Sequence, residues 1–131
     1  MVVLDILPSI EVWIEVNNEP LEEYEDQDGS PDKKKCVTRY IAAQSGQSFG
    51  IGVEAKNTQG WKAEGLDVEI KIDGVLADAY VWAKKAEYGY TMSDSMALSN
   101  GKCANFKFSA LDIGKFGRAR RQALKAANMC E

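Results

Sequence analysis

Residues 66–82, LDVEIKIDGVLADAYVW, decide the fold class. Leu66, Val68, Ile70 and Ile72 alternate with Asp67, Glu69 and Lys71, a period of two that puts apolar side chains on one face of a strand and charges on the other. Asp73-Gly74 follows, a pair that accepts the positive φ of a two-residue hairpin turn, so a return strand is expected over residues 75–82. Working outward, the same period recurs where Ile10, Val12, Ile14 and Val16 alternate with Glu11, Trp13 and Glu15. Residues 36–43 and 48–55 flank Gln44-Ser45-Gly46-Gln47 and read as a second hairpin. Residues 104–108, ANFKF, give a short alternating strand, while residues 90–98 are ambiguous. Strands at this spacing predict an all-β domain, an antiparallel β-sandwich of jelly-roll-like layout or a small barrel.

The two ends of the chain depart from that pattern. Residues 115–129, KFGRARRQALKAANM, are built from strong helix formers, with Asp112 available as an N-cap, and predict a C-terminal α-helix. Phe116, Ala119, Ala123, Leu124 and Ala127 make its weak apolar stripe, with Arg118, Arg121 and Lys125 on the other side. Residues 17–35, NNEPLEEYEDQDGSPDKKK, are too acidic to bury and predict a long exposed loop.

Size and composition bound the chemistry. The chain has 131 residues, 45% apolar and 27% charged, which suits a single domain over 1–131 with one core. It holds no histidine, which removes Ser-His-Asp and Cys-His nucleophiles, His-containing zinc sites and haem with a proximal His. Cys36, Cys103 and Cys130 show no C-x-x-C spacing and leave an odd thiol, so neither a zinc ribbon nor a secreted disulfide framework is expected. The apolar N-terminal run lacks a basic region and a cleavage site, and no run approaches a membrane span of about 18 residues. An intracellular protein is the expectation, with no cofactor, no metal and no membrane partner.

Charge is segregated along the chain. Residues 1–32 hold ten of the twenty acids and no Lys or Arg, whereas residues 115–131 hold five basic residues and one acid. Such blocks act as interaction surfaces or as solvated tails. The acidic group Glu22, Glu23, Glu25, Asp26 and Asp28 and the basic group Arg118, Arg121 and Lys125 are therefore the candidate partner-binding residues. With a net charge of -4, direct nucleic-acid binding by the tail is not favoured over its docking on the acidic half.

One set of motifs resembles a known family. Glu11-Val12-Trp13, then Pro20-Leu21-Glu22-Glu23-Tyr24, an acidic loop, and residues 37–49, VTRYIAAQSGQSF, are similar to the start of a large family of uncharacterised fungal intracellular proteins. The Ile72-Asp73-Gly74 turn and residues 106–111, FKFSAL, resemble later elements of it. The resemblance implies a β-sandwich-like domain, nuclear or cytoplasmic, with no assigned activity and no catalytic residues. Relatives continue past the F-x-F segment into a further strand. This chain is expected to turn to a helix there, which would leave a sandwich edge open to a partner strand or to dimerisation.

Several constellations invite sharper readings. Asp26-x-Asp28-Gly29 looks like part of a calcium loop, but placing Gly29 at position six puts Tyr24 first and Lys35 last, where carboxylates are needed. Gly50 and Gly52 clear a lane on one strand face, either an open groove or a bed for a flat side chain, and Trp13 is the candidate cover. Trp61, Tyr80, Trp82, Tyr88 and Tyr90 are candidate ligand-stacking residues, with core packing as the alternative. Glu54, Glu69 and Asp78 would be the acids of a small-molecule cavity, and Cys36, next to three lysines, is the candidate nucleophilic thiol, with ordinary buried or terminal thiols as the alternative for all three cysteines.

The leading functional expectation is a non-catalytic protein-interaction or self-association module. The alternatives are a small-ligand-binding protein or cofactor-free enzyme of isomerase or cyclase type, and a carbohydrate- or nucleic-acid-binding sandwich.

Overall fold

The computed structural model describes residues 2–4, 7–25, 36–57, 61–84 and 89–110. The expected helix over 115–129 and residues 26–35 of the acidic loop lie outside them. Every strand pairing in the described residues is antiparallel, and they contain no α-helix.

Four strands form the main sheet in the order β1 (Val2–Leu4), β2 (Leu7–Val16), β6 (Gly50–Ala55) and β9 (Gly89–Ser93), with β3 (Glu19–Pro20) also pairing β2. The alternation of β2 sets its two faces. Ile10, Ile14 and Val16 are buried and Val12 is packed against the same core, while Glu11, Trp13 and Glu15 face the other way. The register carries both faces across the sheet: Val12 lies opposite Val53 and Val53 opposite Thr91, whereas Trp13 lies opposite Gly52 and Gly52 opposite Met92. Asn17 and Asn18, with φ of 53° and 64°, form the two-residue turn into β3, the left-handed pair that a tight hairpin needs.

The second body is the hairpin of β7 (Gly65–Ile72) and β8 (Val75–Ala83), joined at Asp73 and Gly74 with φ of 50° and 81°. This is the turn that the Asp-Gly pair predicts. One detail was not legible: Ile70 faces Asp78 but Lys71 faces Leu76, so Ala77 is an extra residue on β8. The bulge reverses the phase of the strand. Leu76 turns outward with Lys71, while Asp78, Tyr80 and Trp82 turn inward with Ile70, Val68 and Leu66.

The core gathers side chains from both bodies: Ile10, Ile14, Val16, Ile51, Val53 and Ala55 from the sheet, Ile70 from the hairpin, and Phe49, Phe106 and Phe108 at one end. Burial of each large apolar side chain contributes on the order of 2 kcal/mol. The three phenylalanines pack as rings, Phe49 stacked on Phe108 at 4.3 Å and tilted against Phe106 at 5.6 Å. β10 (Ser95–Ala97) and β11 (Cys103–Asn105) form a short hairpin that leads into the F-x-F segment.

Two sequence expectations are corrected. Residues 36–43 and 48–55 do not pair with each other: β5 (Arg39–Ile41) pairs with β4 (Glu23–Glu25), and β6 lies between β2 and β9. The turn at 44–47 does form, with Gly46 at φ 79° and the Gln47 N–H donating to the Gln44 carbonyl at 3.2 Å. It redirects the chain instead of closing a hairpin, because Phe49 N–H donates to the Phe106 carbonyl and Phe108 N–H to that of Gln47. The stretch expected as a loop from residue 17 carries β3 and β4, although Glu22, Tyr24 and Glu25 remain exposed as expected. Residues 90–98, left open by the pattern, supply most of β9 and all of β10.

Candidate interaction surfaces

The glycine lane is covered. A Cβ on Gly52 would fall 2.3 Å from Trp13 Cε2 and 2.5 Å from Cζ2, so the indole lies flat on the backbone of β6. Trp13 Nε1 donates to Glu15 Oε2 at 3.3 Å, and its ring is tilted 37° against Tyr90, centroids 6.1 Å apart. Met92 covers Gly50 in the same way, its sulfur 2.9 Å from where a Cβ would stand. The outer sheet face is thus a paved surface, on which Lys56 Nζ reaches Glu54 at 3.1 Å and Glu11 at 3.6 Å. The hydrogen bond to Glu54, with the charges of Glu11 and Glu54, holds the Lys56 ammonium above its ordinary pKa.

The candidate aromatic residues do not form one exposed row. Tyr80 and Trp82, rings 5.4 Å apart, pack against the core from β8. Trp82 covers Gly89, where a Cβ would meet its Cδ2 at 2.7 Å. Trp61 packs at the core margin and donates from Nε1 to Ser9 Oγ at 3.1 Å. Tyr90, 50% exposed, stands on the opposite sheet face beside Trp13, and Tyr88 lies outside the described residues.

Polar contacts join the hairpin to β9 in step with these rings. Ser93 Oγ donates to Asp78 Oδ2 at 2.5 Å, and Asp78 Oδ1 accepts from Ala79 N–H at 2.9 Å. Asp78, Tyr80 and Trp82 therefore meet Ser93, Thr91 and Gly89, two-residue steps in opposite directions. The Tyr80 hydroxyl is buried without a partner in hydrogen-bonding geometry among the described residues. Burial pushes its pKa up to about 12; the nearby Thr91 side chain opposes that rise and the charge of Asp78 adds to it. The three acids proposed for a cavity are all engaged: Glu54 with Lys56, Glu69 with Lys71 at 2.9 Å, and Asp78 with Ser93.

A family model for a domain of unknown function, DUF7918, matches residues 9–130, nearly the whole chain. The chain belongs to the DUF7918 family. The match takes in the stretch beyond the F-x-F segment, further than the motifs quoted above reach. No curated protein and no solved structure matches this chain.

In this DUF7918 domain the acidic candidates among the described residues are locally occupied, Glu22 and Glu25 exposed and Glu23 half-buried. Glu22 accepts from the Tyr24 hydroxyl at 2.8 Å, which holds that phenol above its ordinary pKa. Glu25 lies 3.8 Å from Arg39 across the β4–β5 pair, and Glu23 begins β4. Asp26, Asp28, Arg118, Arg121 and Lys125 lie outside the described residues, so no contact between the acidic and basic groups is on view. Cys36 is half-buried and Cys103 exposed, both free thiols.

The surface that sequence reasoning missed is the free edge of β8. β8 pairs only with β7 among the described residues. Lys84 N–H donates to the Glu64 carbonyl at 2.8 Å, which fixes the parity of the ladder. Ala79, Val81 and Ala83 then point their N–H and C=O groups away from β7. Their side chains are exposed, Val81 at 69%, and Val75 and Leu76 at the hairpin tip are 59% and 50% exposed. The signal was in the sequence: the nine residues of β8 carry one charge, Asp78, where β7 carries Asp67, Glu69 and Lys71. Charges along an edge strand deter pairing with other chains, and β8 has none facing out.

Proposed function

We propose that this DUF7918 domain is a non-catalytic protein-interaction module, an antiparallel β-sandwich of intracellular proteins that takes a partner strand on the free edge of β8. The layered reading draws on the shared core of sheet and hairpin and on the meeting of Asp78, Tyr80 and Trp82 with β9. The intracellular reading draws on the free thiols Cys36 and Cys103.

The observation that carries the functional reading is the edge itself: backbone groups at Val81 and Ala83 that no strand of the described residues pairs, beside exposed apolar side chains. Strand addition would satisfy those groups with main-chain hydrogen bonds and cover Val81. The engaged carboxylates and the absence of histidine from the chain weigh against acid–base catalysis.

Val81→Pro tests the reading, because it removes an N–H that faces away from β7 and is placed where edge strands tolerate proline. Tagged wild-type and variant chains would be used to recover bound proteins, including untagged copies of the chain, from cells that express them. Partners held by the wild type and lost by Val81→Pro, at similar melting temperatures, are the expected result. Identical recovery by both chains sinks the reading.

A further inference from the structure

The free edge of β8 is self-complementary. Its outward side chains read Ala79, Val81, Ala83, a pattern that is the same in both directions about Val81. Two such edges brought together antiparallel about a two-fold axis would place Val81 opposite Val81 and Ala79 opposite Ala83, as an isologous interface requires. The small alanines leave room for the two valines to meet, and no charged side chain on the outward face of either β8 is brought against a like charge.

The backbone supports the same register. Each Val81 N–H would donate to the Val81 carbonyl of the other copy, and each Ala83 N–H to the Ala79 carbonyl. The Ala79 N–H is taken by Asp78 Oδ1 at 2.9 Å, so the outermost bond on each side, to the Ala83 carbonyl of the other copy, does not form and the ladder consists of the four inner bonds. Asp78 keeps that position because its other oxygen is held by Ser93, itself only 3% exposed. Tyr80 and Trp82 face the core, so pairing would not displace them. The opposite edge of the hairpin is unsuited to this: β7 presents Asp67, Glu69 and Lys71, all exposed.

Resting on the strand-addition reading above, we infer that the occupant of the β8 edge is a second copy of this chain. Two hairpins join as one sheet in the order β7, β8, β8, β7, with Val81 on the two-fold axis. The arrangement closes on itself, because the pairing uses the β8 edge of both copies.

The experiment is a charge-swap at the axis, read by native mass spectrometry and sedimentation of the full chain. Val81→Lys and Val81→Glu each put like charges opposite one another, and Val81 is exposed enough for both variants to keep the wild-type melting temperature within a few degrees. A wild-type dimer, a dissociation constant raised at least about tenfold in each variant alone, and recovery of a heterodimer when the two are mixed are expected. A mixture no more associated than its components overturns the two-fold pairing at Val81. A wild-type chain that stays monomeric up to about 200 μM overturns the second copy as occupant. If a different protein is still captured in a Val81→Pro-sensitive way, the strand-addition reading survives that failure; a dimer unaffected by Val81→Pro and by both charged variants defeats the two together.

Discussion

Replacing Gly52 with alanine should be among the most damaging single-methyl additions to this protein, and the damage should depend on Trp13. Gly52 lies in β6, and its φ is outside the left-handed region, so alanine meets no backbone strain there. The difficulty is steric. The added Cβ would stand 2.3, 2.5 and 2.7 Å from Trp13 Cε2, Cζ2 and Nε1, each about 1 Å inside ordinary contact. The indole is held by Glu15 and packed on Tyr90, so relief means lifting the ring and losing both contacts. Overpacking of this kind costs about 1–3 kcal/mol, and each kcal/mol lowers Tm by about 4 °C in a domain of this size. Thermal and urea unfolding of Gly52→Ala should therefore show a Tm lowered by about 4–12 °C. In a Trp13→Ala background the clash is gone, and alanine should be neutral or stabilising by about 0.5 kcal/mol, since glycine weakens a strand interior. An equal cost of Gly52→Ala in both backgrounds would refute the account of the lane as a bed for Trp13.

Two further substitutions test the join between the hairpin and β9. Tyr80→Phe removes a buried hydroxyl that has no partner in hydrogen-bonding geometry among the described residues and should leave stability unchanged or raise it by up to about 1 kcal/mol, checked by denaturant unfolding. The pH dependence follows from the raised pKa: the stability linked to Tyr80 is complete below the unfolded phenol's value near 10 and is lost as pH rises through about 12. Wild type should lose stability over that window more steeply than Tyr80→Phe, and ultraviolet titration should show the late-ionising phenol missing from the variant. Ser93→Ala leaves the Asp78 carboxylate one donor short and should cost about 1–3 kcal/mol, whereas Ser45→Ala in the exposed turn should stay within about 0.5 kcal/mol of wild type. Equal effects of the two serine changes on the unfolding midpoint would contradict the role given to Ser93.

Sequence alone determined the local elements of this protein. The alternation in β2 and β7, the Asp73-Gly74 turn and the paired phenylalanines of the F-x-F segment are each written in contiguous residues, because the two-residue period and the positive φ of a turn are properties of neighbours in the chain. The covering of Gly52 by Trp13 was legible for the same reason, two glycines on one face calling for one large side chain. Tertiary structure alone decided which strand sits beside which. β6 follows a well-formed turn yet pairs with β2 and β9, since a strand with nearly every side chain buried needs a neighbour on each edge, and no local pattern names those neighbours. It also decided the bulge at Ala77, which turns Tyr80 and Trp82 from candidate ligand platforms into core. The free edge of β8 belongs to both: its lack of charge is in the sequence, but only the packed fold shows that no strand of the described residues other than β7 pairs with it.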